Sequence, residues 1–360
     1  MANMNIRTPV FYPDRIRHQR ARGSTIASII SGSNLIGFQS GSIGSLHNGK
    51  PLDLCSFDTS ADTDGHILFN YDMGTSNWKT TFITILNHNL ATAVGKVRIF
   101  FGASADAVND VNGGSSATSL ASVTATAILN SSDPAKSSSN KSLHIAPSAD
   151  GTTIIKIVND DGTDFTGYRH IGIQFEGNTS PSSTTGGGFD FSSTDLTIGG
   201  IEIGEIYTMP VAPDLRVKRS ILYDKTVIQE SLGGQRYATI PSFGRSASTT
   251  SKSPFTTTSY QNYAHGGRIA YDLSFSYLQS TDVMPDEYLT TQFTDDSLVG
   301  DVWNITDGNL HSFVFSIDST STGSNAESEF IYARFAQDSL EMTQVAPDVF
   351  NVSLKIEEEF

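Results

Sequence analysis

At 360 residues and a formal net charge of −15, the chain is long enough for two cores and too acidic for a general binder of nucleic acid, whose phosphates demand excess Lys and Arg. The single cysteine, Cys55, excludes an intramolecular disulfide and any cysteine-based metal cluster. With 38% hydrophobic and 17% charged residues, abundant Ser, Thr and Gly, and no apolar run of the ~18 residues a membrane span needs, the composition is that of a β-rich, loop-rich protein made in a cytoplasm.

Residues 1–23 set five arginines (Arg7, Arg15, Arg17, Arg20, Arg22) against Asp14 alone, a net charge of +4 on an otherwise acidic chain. Arg15, Arg17, Arg20 and Arg22 are expected to form a docking arm that settles on an acidic neighbour; a frayed terminus is the blander reading.

From residue 24 to residue 209 short strand-like segments alternate with Ser/Gly turns. Residues 24–30, 34–38, 80–86, 96–101, 119–129, 153–158, 169–175 and 196–207 read as strands, and 103–119 and 130–142 as loops too poor in apolar residues to bury anything. Gly199 and Gly200 interrupt the inward set of the last of these strands and predict a bulge. An antiparallel jelly-roll sandwich is expected over 24–209, because no helical period intervenes.

Within it, Asp58, Asp62, Asp64 and Gly65 crowd one loop and invite calcium. The spacing lacks the acids of a helix-loop-helix calcium site, so solvated turn residues are the preferred reading and no metal or cofactor is expected. Asn87, His88 and Asn89 join two strands close to Trp78; Trp78, His88 and Asn89 form a possible glycan contact, an aromatic ring stacking on a sugar with polar groups beside it. Loop-capping hydrogen bonds are the structural alternative.

Pro210 and Pro213 punctuate the chain, and a second β-sandwich with one flanking helix is expected over 210–360. Gly233 and Gly234 suit a hairpin turn. Residues 268–278 alternate strictly, with Ile269, Tyr271, Leu273, Phe275 and Tyr277 on one face, and 286–300 is the helix candidate, with Pro285 at its start. Strands follow at 311–317 and 329–335. Residues 348–360 alternate again, Phe350, Val352, Leu354 and Ile356 inward, and a strand so regular must be paired in its own sheet or with another copy.

Nothing comparably sharp points to catalysis. None of the eight histidines (18, 47, 66, 88, 144, 170, 265 and 311) makes the i, i+4 pair of a zinc peptidase helix. The adjacent acids Asp160–Asp161, Asp295–Asp296 and Glu357–Glu359 read as turn and solvent-face residues rather than a carboxylate pair set across a cleft. No residue is assigned a catalytic role.

The stretch from Ile201 to Pro210, followed by Pro213-Asp214-Leu215, Tyr223-Asp224 and Ser231 to Tyr237, resembles a pattern recurring in tail and baseplate proteins of tailed bacteriophages. Ile85 to Leu90 followed by Val97 to Phe100 is similar to the sugar-binding-like jelly rolls such proteins carry, and the C-terminal order of strand, helix and three strands resembles their tail-tube and distal-tail sandwich. The resemblance implies a non-enzymatic virion component, a three- or six-fold ring of copies of itself that contacts other tail proteins. The alternative is a receptor-recognising adhesin for host surface glycan. The chain departs from distal-tail proteins in placing its jelly roll ahead of the tube-like region.

Overall fold

The computed structural model describes residues 6–24, 26–32, 34–61, 65–74, 79–109, 116–165, 168–177, 190–222, 227–239, 268–287, 296–321 and 329–359. Twenty-two strands run through them. The first half contains β1 (Val10–Tyr12), β2 (Ala27–Ile29), β3 (Cys55–Phe57), β4 (Ile67–Asp72), β5 (Phe82–His88), β6 (Gly95–Gly102), β7 (Val123–Leu129), β8 (Ala135–Lys136), β9 (Leu143–Ile145), β10 (Gly151–Asn159) and β11 (His170–Gly177). Then come β12 (Leu196–Ile198), β13 (Gly200–Gly204), β14 (Tyr207–Thr208), β15 (Lys218–Leu222), β16 (Val227–Glu230), β17 (Arg236–Thr239), β18 (Arg268–Gln279), β19 (Phe313–Ser316), β20 (Phe330–Phe335), β21 (Met342–Ala346) and β22 (Val349–Glu358). The helices are α1 (Arg15–Ala21), α2 (Ser280–Val283) and a π-helical turn, Leu298–Trp303. The named strands all pair antiparallel, and the protein is an all-β sandwich fold.

Two sheets enclose the first core. One runs β13-β5-β10-β7, extended by β3 through its pairing with β12, which leads into β13 across Gly199; the other runs β2-β4-β11-β6-β9-β8. Along the principal strands β3, β4, β5, β6, β9, β10, β11 and β12–β13, this order is that of a jelly roll. Alternation packs Ile83, Ile85, Ile155, Ile201 and Ile203 against Phe69, Tyr71, Ile99, Ile171, Ile173 and Phe175 between the sheets. Gly199 answers the expected bulge: a Cβ there would lie 2.0 Å from the carbonyl oxygen of Pro51.

The second core lies inside one large sheet, β14-β1-β19-β20-β22-β18-β15, with β21 also on β22. This sheet folds over on itself, since Tyr271 of β18 and Phe315 of β19 meet at 5.7 Å between ring centroids although two strands separate them in the order. Phe11, Leu273, Phe313, Ile331, Val352, Leu354 and Ile356 fill the fold, and Leu298, Val299 and Val302 of the π-helical turn close it.

The opposite face of β1, β19 and β20 is buried too. Val10, Tyr12, Val314, Phe330 and Tyr332 pack on Phe82, Leu86, Leu129 and Ile154 of the jelly roll, making a third apolar layer between the two sandwiches.

Two sequence expectations change here. The segment expected as a docking arm is built into its own molecule, because β1 sits between β14 and β19 and α1 follows it against β13. Tyr277, expected inward, is 75% exposed: at φ 63° it sits in a bulge between Phe275 and Leu278, and Leu278 takes the inward place. Of the expected helix, residues 288–295 lie outside the described residues, and the helical turn that is described begins later, at Leu298.

Candidate functional site

Asp14 organises the seam between the two sandwiches. As the N-cap of α1 its carboxylate accepts the amides of Ile16 (3.0 Å) and Arg17 (3.3 Å), and it also takes the amide of Ile203 on β13 (3.3 Å), tying the helix start to the jelly roll. Arg15 then points away, wholly buried, and bridges Glu205 (2.6 Å) and Asp301 of the π-helical turn (3.2 Å). Glu205 also accepts Lys79 Nζ at 2.9 Å, and the same ammonium reaches Asp296 at 2.5 Å and Asp164 at 3.3 Å. Burial pushes the Glu205 pKa up to about 8, against the partial pull of Arg15 and Lys79; Lys79, whose charge burial opposes, is carried upward by Glu205 and Asp296. Asp164, Glu205 and Asp296 bring carboxylate oxygens within 4.8 Å of one another, the spread of a cation site, and the Lys79 ammonium supplies the positive charge at that place.

On the other side of Asp14 lies a narrow pocket of about 200 Å³ including its open mouth, with room at its base for about one water. Asp14, Glu202, Tyr332, His47, Lys50, Pro51 and the backbone at Gly199 and Gly200 line it. The Tyr332 hydroxyl donates to Glu202, while Arg17 donates to Tyr332 Oη at 3.5 Å. Burial, and next the nearby Asp14, push the Glu202 carboxyl well above the ordinary glutamate range; burial pushes Asp14 up to about 7 against three backbone amides and Arg17. Two acids thus share a pocket, but it is dimensioned for a proton or a water and not for a sugar ring.

A third polar group lies on the outer face of the jelly roll. Glu176 on β11 sits 3.1 Å from Lys96, 3.6 Å from Arg98 and 3.7 Å from His66, and accepts from Gln174 at 2.9 Å. All five residues are buried. Alternation alone would have turned Lys96 and Arg98 to solvent; their cross-strand partners, Glu176 and Gln174, become evident only from the β6–β11 register.

The expected glycan contact falls partly outside the described residues. Trp78 lies outside them. His88 is buried, its Nε2 2.8 Å from Thr153 Oγ1 and its Nδ1 accepting the Leu90 amide, and Asn89 donates to the Asp195 carbonyl and accepts from the Thr197 amide. Both side chains spend their polar atoms fastening the loop that leaves β5, where Asn87 takes φ 46°. In the calcium candidate, Asp62 and Asp64 lie outside the described residues, and Asp58 is an exposed loop residue.

The four arginines expected as a docking arm have partners within their own chain. Arg15 is buried in its own chain, Arg17 reaches Tyr332, Arg20 acts on His47, and Arg22 makes a two-pronged ion pair with Asp307 at 2.8 and 3.1 Å. Sequence marked these residues as unusual through their charge, but their acidic partners stand too far along the chain for a pattern to disclose.

The outward surface of the second sandwich differs from that of the first. Among the described residues the exposed large apolar side chains include only Leu52 and Leu54 before residue 211, whereas Val211, Leu215, Ile221, Ile228, Leu232, Tyr237, Tyr277, Met284, Leu310, Met342 and Val345 follow it. The β16–β17 hairpin, turning through Gly234 at φ 80°, pairs with no other named strand, and its described side chains are exposed. No helix among the described residues is long and apolar enough to cross a membrane. Comparison with protein-family models, with curated proteins and with solved structures gives no match.

Proposed function

We propose that this protein is a non-enzymatic structural component that assembles with copies of itself, of the kind that builds the tail or baseplate of a phage virion. One observation supports assembly above the others. β18 and β22 form a pair with β15 added on one side and β21 on the other, and among the described residues neither outer strand has a second partner. Two unpaired edges on opposite margins of one block are what a head-to-tail contact requires.

The directions agree. β15 is antiparallel to β18 and β21 is antiparallel to β22, so in two copies laid side by side β15 of one meets β21 of the next antiparallel. β15 lies beside Arg268–Asp272 and β21 beside Val349–Val352, near the far end of β18, so successive copies are shifted along the strands by roughly 20 Å. A stagger of that sort accumulates when tilted strands close into a ring. Charge agrees as well: Arg216, Lys218 and Arg219 flank one edge and Glu341 the other. The virion setting rests on the sequence resemblance, and three- or six-fold closure is the expectation it brings.

Mass measurement in solution with negative-stain imaging tests the reading. A discrete ring-shaped oligomer is expected, and Ile221→Lys or Val345→Lys, each placing a charge on one edge, should return it to single chains with unchanged circular dichroism. A wild-type monomer at every concentration, or an oligomer indifferent to both substitutions, overturns it.

A further inference from the structure

We propose that Glu202 is held as an uncharged carboxylic acid in the folded protein, so that ionising it puts an uncompensated charge into the layer between the two sandwiches and loosens their seam. The inference does not depend on assembly.

Glu202 stands on the face of β13 opposite Ile201 and Ile203, which enter the jelly-roll core, and so points into the layer shared with the second sandwich. It is 3% exposed, and its Oε2 has no hydrogen-bond partner among the described residues. A carboxylate oxygen left bare in such a place would forfeit its hydration with nothing in exchange; a protonated one avoids most of that loss.

The groups facing Glu202 decide which acid keeps the proton. From the N-terminal segment come Asp14 and Arg17; from the Ser45–His47 turn and the loop after it come His47 and Lys50; from β20 comes Tyr332; from β5 comes Thr84, directly across the ladder. Asp14 receives three backbone N–H groups, which only lone pairs can accept, so Asp14 is the ionised member. Arg17 balances that one charge. Lys50 is exposed at the mouth, and burial together with Arg20 holds His47 neutral by pushing its pKa down to about 3. Among the described residues no second cation is buried here to balance Glu202, which therefore keeps its proton, with the Tyr332 hydroxyl beside it.

The sign follows from the direction of the shift. An acid whose pKa is higher folded than unfolded lends stability that is complete below the unfolded value, near 4, and is lost as pH rises toward the folded value. Across that span the folding constant falls about tenfold per pH unit for one such group. His47, His88 and His144 oppose this only below their ordinary range, and Glu205, which burial also raises, adds a fall of the same sign, so the share of Glu202 is the difference between the wild type and Glu202→Gln from pH 7 to 9.

Carbon-13 NMR of glutamate carboxyls, followed from pH 5 to 9 alongside the thermal midpoint, provides the test. Expected are one glutamate signal still at the protonated position at pH 7, its absence in Glu202→Gln, and a midpoint that falls from pH 7 to 9 in the wild type but falls distinctly less in Glu202→Gln. Tyr332→Phe, which removes a hydrogen bond favouring the ionised form, should move that signal's titration to higher pH and serves if Glu202→Gln does not fold. A wild type with every glutamate ionised at pH 7, or a Glu202→Gln variant with an undiminished alkaline fall, overturns the proposal.

Discussion

Arg15 and Glu205 stand 190 residues apart in sequence and 2.6 Å apart in the fold, with side chains 1% and 3% exposed. The guanidinium reaches Asp301 from the same position, so one residue of α1 joins the end of β13 to the π-helical turn of the second sandwich. Truncating one member of such a group is far more costly than the group's net worth, because its partners stay buried and charged. Arg15→Ala should lose about 3–5 kcal/mol in a urea titration. Arg15→Lys should recover only part of that, since it keeps the charge but its compact ammonium on a shorter stem does not reproduce the planar guanidinium that lies between Glu205 and Asp301.

Phe11 is the inward residue of β1, its ring within 5.1 Å of Phe315 and 5.6 Å of Phe313. Phe11→Ala should cost about 3–5 kcal/mol, as for other buried aromatic truncations. Deleting residues 1–12 should do more, since it takes away the strand joining β14 to β19; loss of the cooperative thermal transition is expected, whereas removal of a mere arm would leave it unchanged.

Acid should weaken the jelly roll through His88. Burial lowers its pKa to about 4, so the folded protein binds fewer protons there than the unfolded chain, and stability is lost as pH falls from about 6.5 toward 4. The contribution is on the order of 3 kcal/mol. His88→Gln should flatten the acid limb of a stability-versus-pH curve while costing something at pH 7, where the bond to Thr153 is altered.

Gly204 has no room for a side chain, because a Cβ there would lie 2.3 Å from the carbonyl oxygen of Pro13, a backbone atom that cannot swing aside. Gly204→Ala should therefore lift the N-terminal segment off β13 and cost about 1–3 kcal/mol. Gly37→Ala is the matched control, with nothing within 4 Å of the added carbon, and should stay within about 0.5 kcal/mol. Denaturant midpoints of the two variants decide the matter.

Strands with one wet face announced themselves. In β22 the alternation of Val352, Leu354 and Ile356 with exposed Ser353 and Lys355 is the period-2 pattern of a half-buried sheet, and β18 carries it as far as Phe275. β4 was not legible for the opposite reason: Ile67, Leu68, Phe69, Asn70 and Tyr71 are all buried, so no alternation marks them. β1 is three residues long, below what any periodicity can register. The seam was hidden most deeply. Arginines in a basic N-terminal stretch look solvent-bound, and only the folded chain brings Glu205, Asp301 and Asp307 to them.

The placement of β1 also sets a timetable. Its second neighbour, Phe313–Ser316, lies some three hundred residues downstream, so on a ribosome β1 can meet β14 once Thr208 has emerged but keeps its other edge open until β19 follows. Closure of that sheet is a late event, slowed by the long loop it must gather, and a chain cut short before Phe313 leaves one edge of β1 bare.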